Sequence, residues 1–354
     1  MLANQLSHRK DMIVSNSPSL SEAPEAPMPL LVIRAIVGGV LMGLANLVPG
    51  ISGGTMLLAT GVYPLFINGI AELTTLKFKL RSIVVLGCVV VAAVLGILLL
   101  AGTIKELVID HRWVMYSLFI GLTLGGVPIV WGMIGKPSRS CWVGVVFGFL
   151  GMAVLAWVQQ SGSGAQGGDD ASWAMLLLAG VAGASAMILP GVSGGYLLLV
   201  MGVYVPILSG VDTLKEGLKA ADMTVVMEVG IGLVLPVGLG VVVGVVGVSN
   251  VLRLMLRRYE KATLGVLLGL LLGAVVGLWP FQRGAAPDPG DVVKGQVVTL
   301  ETLAEIDPED YPTRRFSPTG GQWAGAAGLI LFGFGVTYAI SRFGGAGETK
   351  SKDA

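Results

Sequence analysis

Ser52 and Ser193 sit in the same hexapeptide, Pro-Gly-x-Ser-Gly-Gly, once near the start of the chain and once near its middle. With one following residue, the first copy is Pro49, Gly50, Ser52, Gly53, Gly54 and Thr55. The second is Pro190, Gly191, Ser193, Gly194, Gly195 and Tyr196. Residues 45–70 and 186–211 align without a gap at an offset of 141, and 12 of 26 positions are identical. Both copies run on into Gly-Val-Tyr. Proline cannot continue a helix from its N-terminal side, because the ring removes a donor and clashes one turn back. The glycines open backbone angles closed to other residues, and a serine hydroxyl ahead of an apolar run can cap a new helix. Each copy therefore reads as helix, break, new helix. The new helix aims its positive end and free N–H groups at the break, which suits an anion, above all a phosphate. A kink that only helps helices pack is the plain alternative, and the duplication weighs against it.

The elements that position these breaks are apolar. Hydrophobic residues make up 54% of the chain and charged residues 13%, with a mean hydropathy of +0.81. Runs of membrane-spanning length follow one another. Broken helices at membrane depth survive only where the freed backbone is buried in protein or lines a polar cavity. A net charge of +1 predicts no nucleic-acid partner. Cys88 and Cys141 lie in apolar segments and read as small core residues. Residues 1–28 are polar and Ser/Pro-rich, a disordered tail by composition. The first apolar run lacks a small-residue cleavage site, so a signal peptide is not expected.

The chain divides into a tail (1–28), repeat 1 (29–158), a Gly/Ser linker (159–172), repeat 2 (173–343) and a second tail (344–354). In repeat 1 the run 30–48 carries Arg34 and is short for a full span; with 54–70 it reads as a re-entrant hairpin. Spans at 82–101, 114–134 and 141–158 follow. Repeat 2 has the same order: a hairpin from 173–189 and 195–211, then spans at 223–248, 262–279 and 322–340. Gly121, Gly125 and Trp131 fall on Gly269, Gly273 and Trp279 at an offset of 148, so the duplication extends past the hexapeptides. The acidic segment 281–321, with seven acids against four basic residues, is an added extracytoplasmic loop.

Lys and Arg collect in 71–81, 135–140 and 249–261, while 159–172 has none. Placing the basic loops and both termini in the cytoplasm satisfies every segment with three spans per repeat. An odd number of crossings inverts one repeat relative to the other. The expectation is an all-α polytopic membrane protein of two inverted repeats, each a re-entrant broken-helix hairpin plus three transmembrane helices, with the two breaks meeting near the midplane.

Catalytic chemistry finds little footing. Only His8 and His111 are present, no His/Cys/Asp/Glu cluster has metal-ligand spacing, and neither serine has a base nearby in sequence. Neither an enzyme nor a cofactor is expected. Arg34 either snorkels to its interface or pairs with a phosphate; Glu228 either snorkels or carries a coupling proton. Tyr63 and Tyr204, at equivalent places in the two hairpins, either hydrogen-bond a ligand or anchor at an interface. Asn46, Thr55 and Thr60 face Met187, Tyr196 and Met201 across the repeat, so the more polar first hairpin is expected to make the closer ligand contacts.

At ANLVPGISGGTMLLATGVY and ILPGVSGGYLLLVMGVY the chain resembles the bacterial polyprenyl-phosphate (undecaprenyl-phosphate) transporter family, long catalogued as a membrane domain of unknown function. The resemblance covers roughly residues 30–343. It implies translocation of undecaprenyl phosphate in the bacterial cytoplasmic membrane, which returns the lipid carrier of cell-envelope synthesis to the inner leaflet. It also implies coupling to an ion gradient, proton or sodium, and carries the family's binding positions onto the two hexapeptides with Thr55 and Tyr196. A small-anion transporter or channel would use the same helix ends. A lipid needs a lateral opening to the bilayer, whereas a small anion needs a closed vestibule. An enzyme acting on a lipid phosphate is the third reading, and the missing acid, base and metal residues count against it.

Overall fold

The structure is a computed structural model of the 354-residue chain. It describes residues 27–46, 51–160, 172–293, 296–300, 303, 306, 311 and 313–345. The expectations for Pro49, Gly50, most of the two tails and most of the linker lie outside the described residues.

In the first half, α1 (Met28–Asn46) runs up to the break and α2 (Gly53–Ala59) leaves it. Then α3 (Tyr63–Thr74) turns away from α2 by 115°. The expected single helix over 54–70 is thus two helices, because Gly-Val-Tyr is a second break. Gly61 takes φ +72°; its N–H reaches Leu58 O at 3.0 Å and that of Val62 reaches Leu57 O at 3.0 Å. That pairing is a glycine-terminated helix end. Gly202 repeats it at φ +71°, with Val203 N on Leu198 O at 3.1 Å. With 19 residues, α1 is itself long enough to cross a membrane. Arginine is a good helix former, so Arg34 does not interrupt it.

The first half is completed by α4 (Leu80–Asp110), α5 (Arg112–Leu124), α6 (Val127–Ile134) and α7 (Arg139–Gln160). In the second half, α8 (Trp173–Ile188) reaches the second break; α9 (Gly194–Val200) and α10 (Tyr204–Ala220) follow. A short α11 (Met223–Val229) passes through a π-helical turn at Gly230–Val234 into α12 (Leu235–Arg258). Pro236 has no N–H for the carbonyl one turn back, and the wider turn accommodates its ring. The last helices are α13 (Glu260–Gly277) and α14 (Gly320–Gly345). Among the described residues seven segments are long and apolar enough to cross a membrane: α1, α5 with α6, α11 through α12, α13, and most of α4, α7 and α14. Their outward faces are apolar too, with Leu99 76% and Phe147 73% exposed. A helix hydrophobic all round belongs in a core or in lipid.

Glycine decides which helices touch. In the first half Gly39 and Gly43 of α1 lie so close to α4 that a Cβ on either would stand 2.5 Å from the Val89 or Ala93 carbonyl oxygen. Their counterparts are Gly180 of α8 and Gly240 and Gly244 of α12, which bring those two helices together. The remaining long helices exchange partners between halves. Gly121 of α5 and Gly125 at its C-cap pack on Ile330 and Thr337 of α14. Gly265, Gly269 and Gly273 of α13 pack on Cys141, Val145 and Met152 of α7. Small residues are what permit such approach between apolar helices.

Two hydrogen bonds and a cavity tie the ends of these helices. Asn250 of α12 donates to Thr74 Oγ1 at the end of α3, 2.9 Å. Lys261, opening α13, donates to the Lys136 carbonyl just past α6, 2.9 Å. The first residues of α4 and the last turns of α12 line one cavity. All three basic segments therefore lie on one face of the molecule. On the other, Phe281 is buried against Trp279, Trp323 and Phe316, with its ring 4.7 Å from that of Trp323. From this anchor the 281–321 loop forms short strands that composition did not signal: β1 (Gln282–Gly284), β2 (Val292–Val293), β3 (Gln296–Val297) and β4 (Thr313–Arg315). β1 pairs antiparallel with β4, and β2 with β3.

Candidate functional site

Pro190 ends α8, and a helix end leaves its last carbonyls without partners in the helix. Side chains of the first hairpin take them. Ser52 Oγ donates to Leu189 O at 3.0 Å, and the Tyr63 hydroxyl donates to Ile188 O at 2.9 Å. In the opposite direction Gly191 N–H donates to Thr55 Oγ1 at 3.0 Å. Gly54 admits this contact: a Cβ there would stand 2.9 Å from Ile188 O and 3.0 Å from Met187 O. The two copies thus meet directly, N-terminus of α2 against C-terminus of α8. Ser52, Thr55, Tyr63 and Ser193 are all buried. In so dry a setting each hydrogen bond is costly to leave unmade.

Ser52 departs from its expected role. Its backbone has an extended N-cap conformation, φ −104° and ψ 127°, but its hydroxyl makes no capping bond to α2. The Leu189 carbonyl, across the junction, has taken it. Asn46 ends α1 as an exposed residue, and its side-chain amide lies 3.1 Å from where a Gly53 Cβ would stand. It is thus a polar group at the mouth of the first break.

The two halves are loaded differently. Every residue of α2 is buried, and Thr60 also turns inward, donating to Met56 O at 3.2 Å or Leu57 O at 3.1 Å. Of the polar groups that single out the first hairpin in sequence, Thr55 and Thr60 are thus engaged with protein. Around the second copy there is more room: a Cβ at Gly194 or Gly195 would meet its nearest atom at 3.5 or 3.8 Å. Tyr204 lies on that side, half-buried, with its ring against Gly195. Gly191 holds φ +91° under the Leu270 carbonyl, a position only glycine fills easily.

Arg34 is not at the break. Its guanidinium lies over the Gly61 turn, 3.9 Å from where a Gly61 Cβ would be, at the negative end of α2 where a cation is favoured. Glu228 is exposed beside the π-helical turn, away from the junction.

An apolar slot runs from the junction along α3, lined by Leu58, Tyr63, Pro64, Ile67, Leu264 and Leu267. It shares Asn68, Arg253 and Arg257 with the cavity of about 220 Å³ on the basic face. In sequence, those arginines serve only to orient the chain. Their four-residue spacing on α12, matched by Asn68 and Glu72 on α3, was the signal that each pair shares a helix face. Among the described residues no three His, Cys, Asp or Glu side chains gather as metal ligands.

Seven apolar helices around a junction of broken ones make this a multi-pass α-helical membrane protein. It belongs to the undecaprenyl phosphate translocase-like family, whose model matches residues 42–288 and so takes in both hexapeptides. The chain is similar to the polyprenyl-phosphate transporter of Vibrio cholerae serotype O1, 27% identical over 86% of this chain and 94% of that one. It is also similar to the polyprenyl-phosphate transporter of Staphylococcus aureus, 26% identical over 69% of this chain and 85% of the relative. No solved structure matches it.

Proposed function

We propose that this protein moves a polyprenyl phosphate, undecaprenyl phosphate in particular, across the bacterial cytoplasmic membrane. It would thereby return the lipid carrier of envelope synthesis to the cytoplasmic leaflet. The task is to carry a headgroup charge through a medium that offers it no hydrogen bonds, while the apolar tail stays in lipid. The observation that carries the reading is the junction itself, where Ser52 and Tyr63 present hydroxyl donors to acceptors from the other half. A phosphate entering there is a stronger acceptor than a peptide carbonyl, because hydrogen bonds to an ionised partner are shorter and stronger. It replaces Leu189 O and Ile188 O on the same hydroxyls. Binding then loosens α8 from α2, so occupancy and opening are one event. The N–H groups opening α2 and α9, and Asn46, add donors at the two breaks.

The proposed architecture is a pair of inverted repeats with re-entrant hairpins and both termini cytoplasmic. Its support is directional: α4 and α12 are repeat equivalents, yet α4 begins and α12 ends at the same cavity. The end of α6 and the start of α13 are tied in the same way. The likeness to two polyprenyl-phosphate transporters favours a lipid over a small anion. A proton or sodium gradient drives the cycle.

Purified protein in detergent should bind a polyprenyl phosphate in preference to inorganic phosphate. Ser52→Ala and Ser193→Ala should each weaken that binding by about tenfold or more, the loss of one hydrogen bond to a charged group. Wild-type affinity in both single variants and the double would remove the phosphate from the junction and leave the hexapeptides as hinges.

A further inference from the structure

The charged side chains lining the cavity on the basic face are mainly cations. Asn68 and Glu72 come from α3, Lys79 from the turn before α4, Arg81 from the first turn of α4, and Arg253 and Arg257 from the last turns of α12. Four cations against one carboxylate leave a formal charge of +3 on its walls. The carboxylate is already committed: Glu72 Oε1 pairs with Lys79 at 2.7 Å, and Oε2 accepts from Ser82 Oγ at 2.6 Å. Arg253 Nε is buried and has no hydrogen-bond partner among the described residues. A buried donor of that kind needs an acceptor to account for it. Solvated loop cations alone would not converge from the start of α4 and the end of α12 on one hollow. Nor would they adjoin an apolar slot that shares Asn68, Arg253 and Arg257 with the cavity and leads to Tyr63.

We infer that this cavity is a second station for the substrate, holding a phosphomonoester headgroup on Arg253, Arg257, Lys79 and Arg81 while the apolar chain enters beside α3, where the slot must widen from about 20 Å³ to take it. This rests on the reading above, that the substrate is a lipid phosphate. The station lies on the face that is cytoplasmic in the proposed topology, so it is where the headgroup arrives from or leaves for that leaflet. Guanidinium groups match phosphate oxygens in pairs, which a point charge does not. Glu72 acts as the resident competitor: with Lys79 and Ser82 it occupies the place an incoming phosphate oxygen would take. The headgroup must displace it to bind and is released from the cavity when the carboxylate closes back.

The probe is farnesyl phosphate, with farnesol and inorganic phosphate as its two halves, titrated against the purified full chain. The variants are Arg253→Gln, Arg257→Gln and Glu72→Gln. Arg258→Gln is the control, because that guanidinium lies over the Tyr259 ring and is not in the cavity wall. Arg253→Gln and Arg257→Gln are expected to weaken farnesyl phosphate about tenfold each, the loss of one charged hydrogen bond, without affecting farnesol. Glu72→Gln is expected to tighten it, a sign that losing a merely structural ion pair would not give. Should Arg253→Gln fold poorly, the exposed Arg257 carries the test. Wild-type affinity in both arginine variants, or weaker binding in Glu72→Gln, overturns the station. Inorganic phosphate binding as tightly as farnesyl phosphate overturns the lipid assignment of the slot. Farnesyl phosphate that fails to bind wild-type protein overturns both the station and the function it rests on. Binding lost in Ser52→Ala but kept in the arginine variants overturns the station alone.

Discussion

The Tyr63 hydroxyl donates to the Ile188 carbonyl at 2.9 Å, so the residue that opens α3 in one half holds the final turn of α8 in the other. Both groups are buried. Tyr63→Phe removes the donor, keeps the ring, and leaves a buried carbonyl short of a partner. The expected cost is about 1–3 kcal/mol of stability, read as a lower unfolding temperature in detergent. Unchanged stability would mean that the carbonyl finds another donor and that the junction is looser than these distances imply.

The two pairs of glycines should respond differently to alanine. At Gly54 a methyl group would press on the backbone of residues 187 and 188, and backbone cannot swing aside as a side chain can. Gly54→Ala is expected to cost about 1–3 kcal/mol, in the range of core overpacking. Gly195→Ala has its nearest neighbour at 3.8 Å and should be tolerated. Fluorescence-detected size exclusion after graded heating ranks the two. Equal tolerance would show that α2 and α8 separate readily.

The proposed inversion can be checked with single cysteines on a background with Cys88 and Cys141 replaced. A cysteine at Ser163 should react with an impermeant maleimide added to intact cells. One at Arg258 should react only after the membrane is opened. Labelling of both from the same side would abolish the inverted repeat.

Part of this was legible in the sequence, for local reasons. Proline and glycine punctuate a chain wherever they stand, so Pro190 and the glycines around Ser52 and Ser193 marked breaks without knowledge of neighbours. Gly61 and Gly202 do not mark a break by themselves, because one glycine in an apolar run is compatible with a continuous helix; only the positive φ fixes the turn. The partners of Ser52 and Thr55 could not be read at all. A hydroxyl in the sequence looks the same whether it faces a ligand or a carbonyl, and here the carbonyl lies 137 residues away. Arg253 and Arg257 illustrate another limit: a basic loop orients a membrane protein whatever its side chains go on to touch. Their convergence with Lys79 needed the packing of α12 beside α3.

The exchange of partners between the halves bears on the order in which the protein can be made. Gly121 and Gly125 emerge from the ribosome long before the helix that covers them, and the bond from Thr337 Oγ1 to Leu122 O closes a separation of 215 residues. Until then α5 waits in the bilayer with a stripe of bare backbone along one side. Lipid chains cannot fill such a stripe as closely as another glycine-lined helix does. The helix Gly320–Gly345 is therefore the one that locks α5 in place, and a nascent chain stopped short of α14 leaves that side of α5 open.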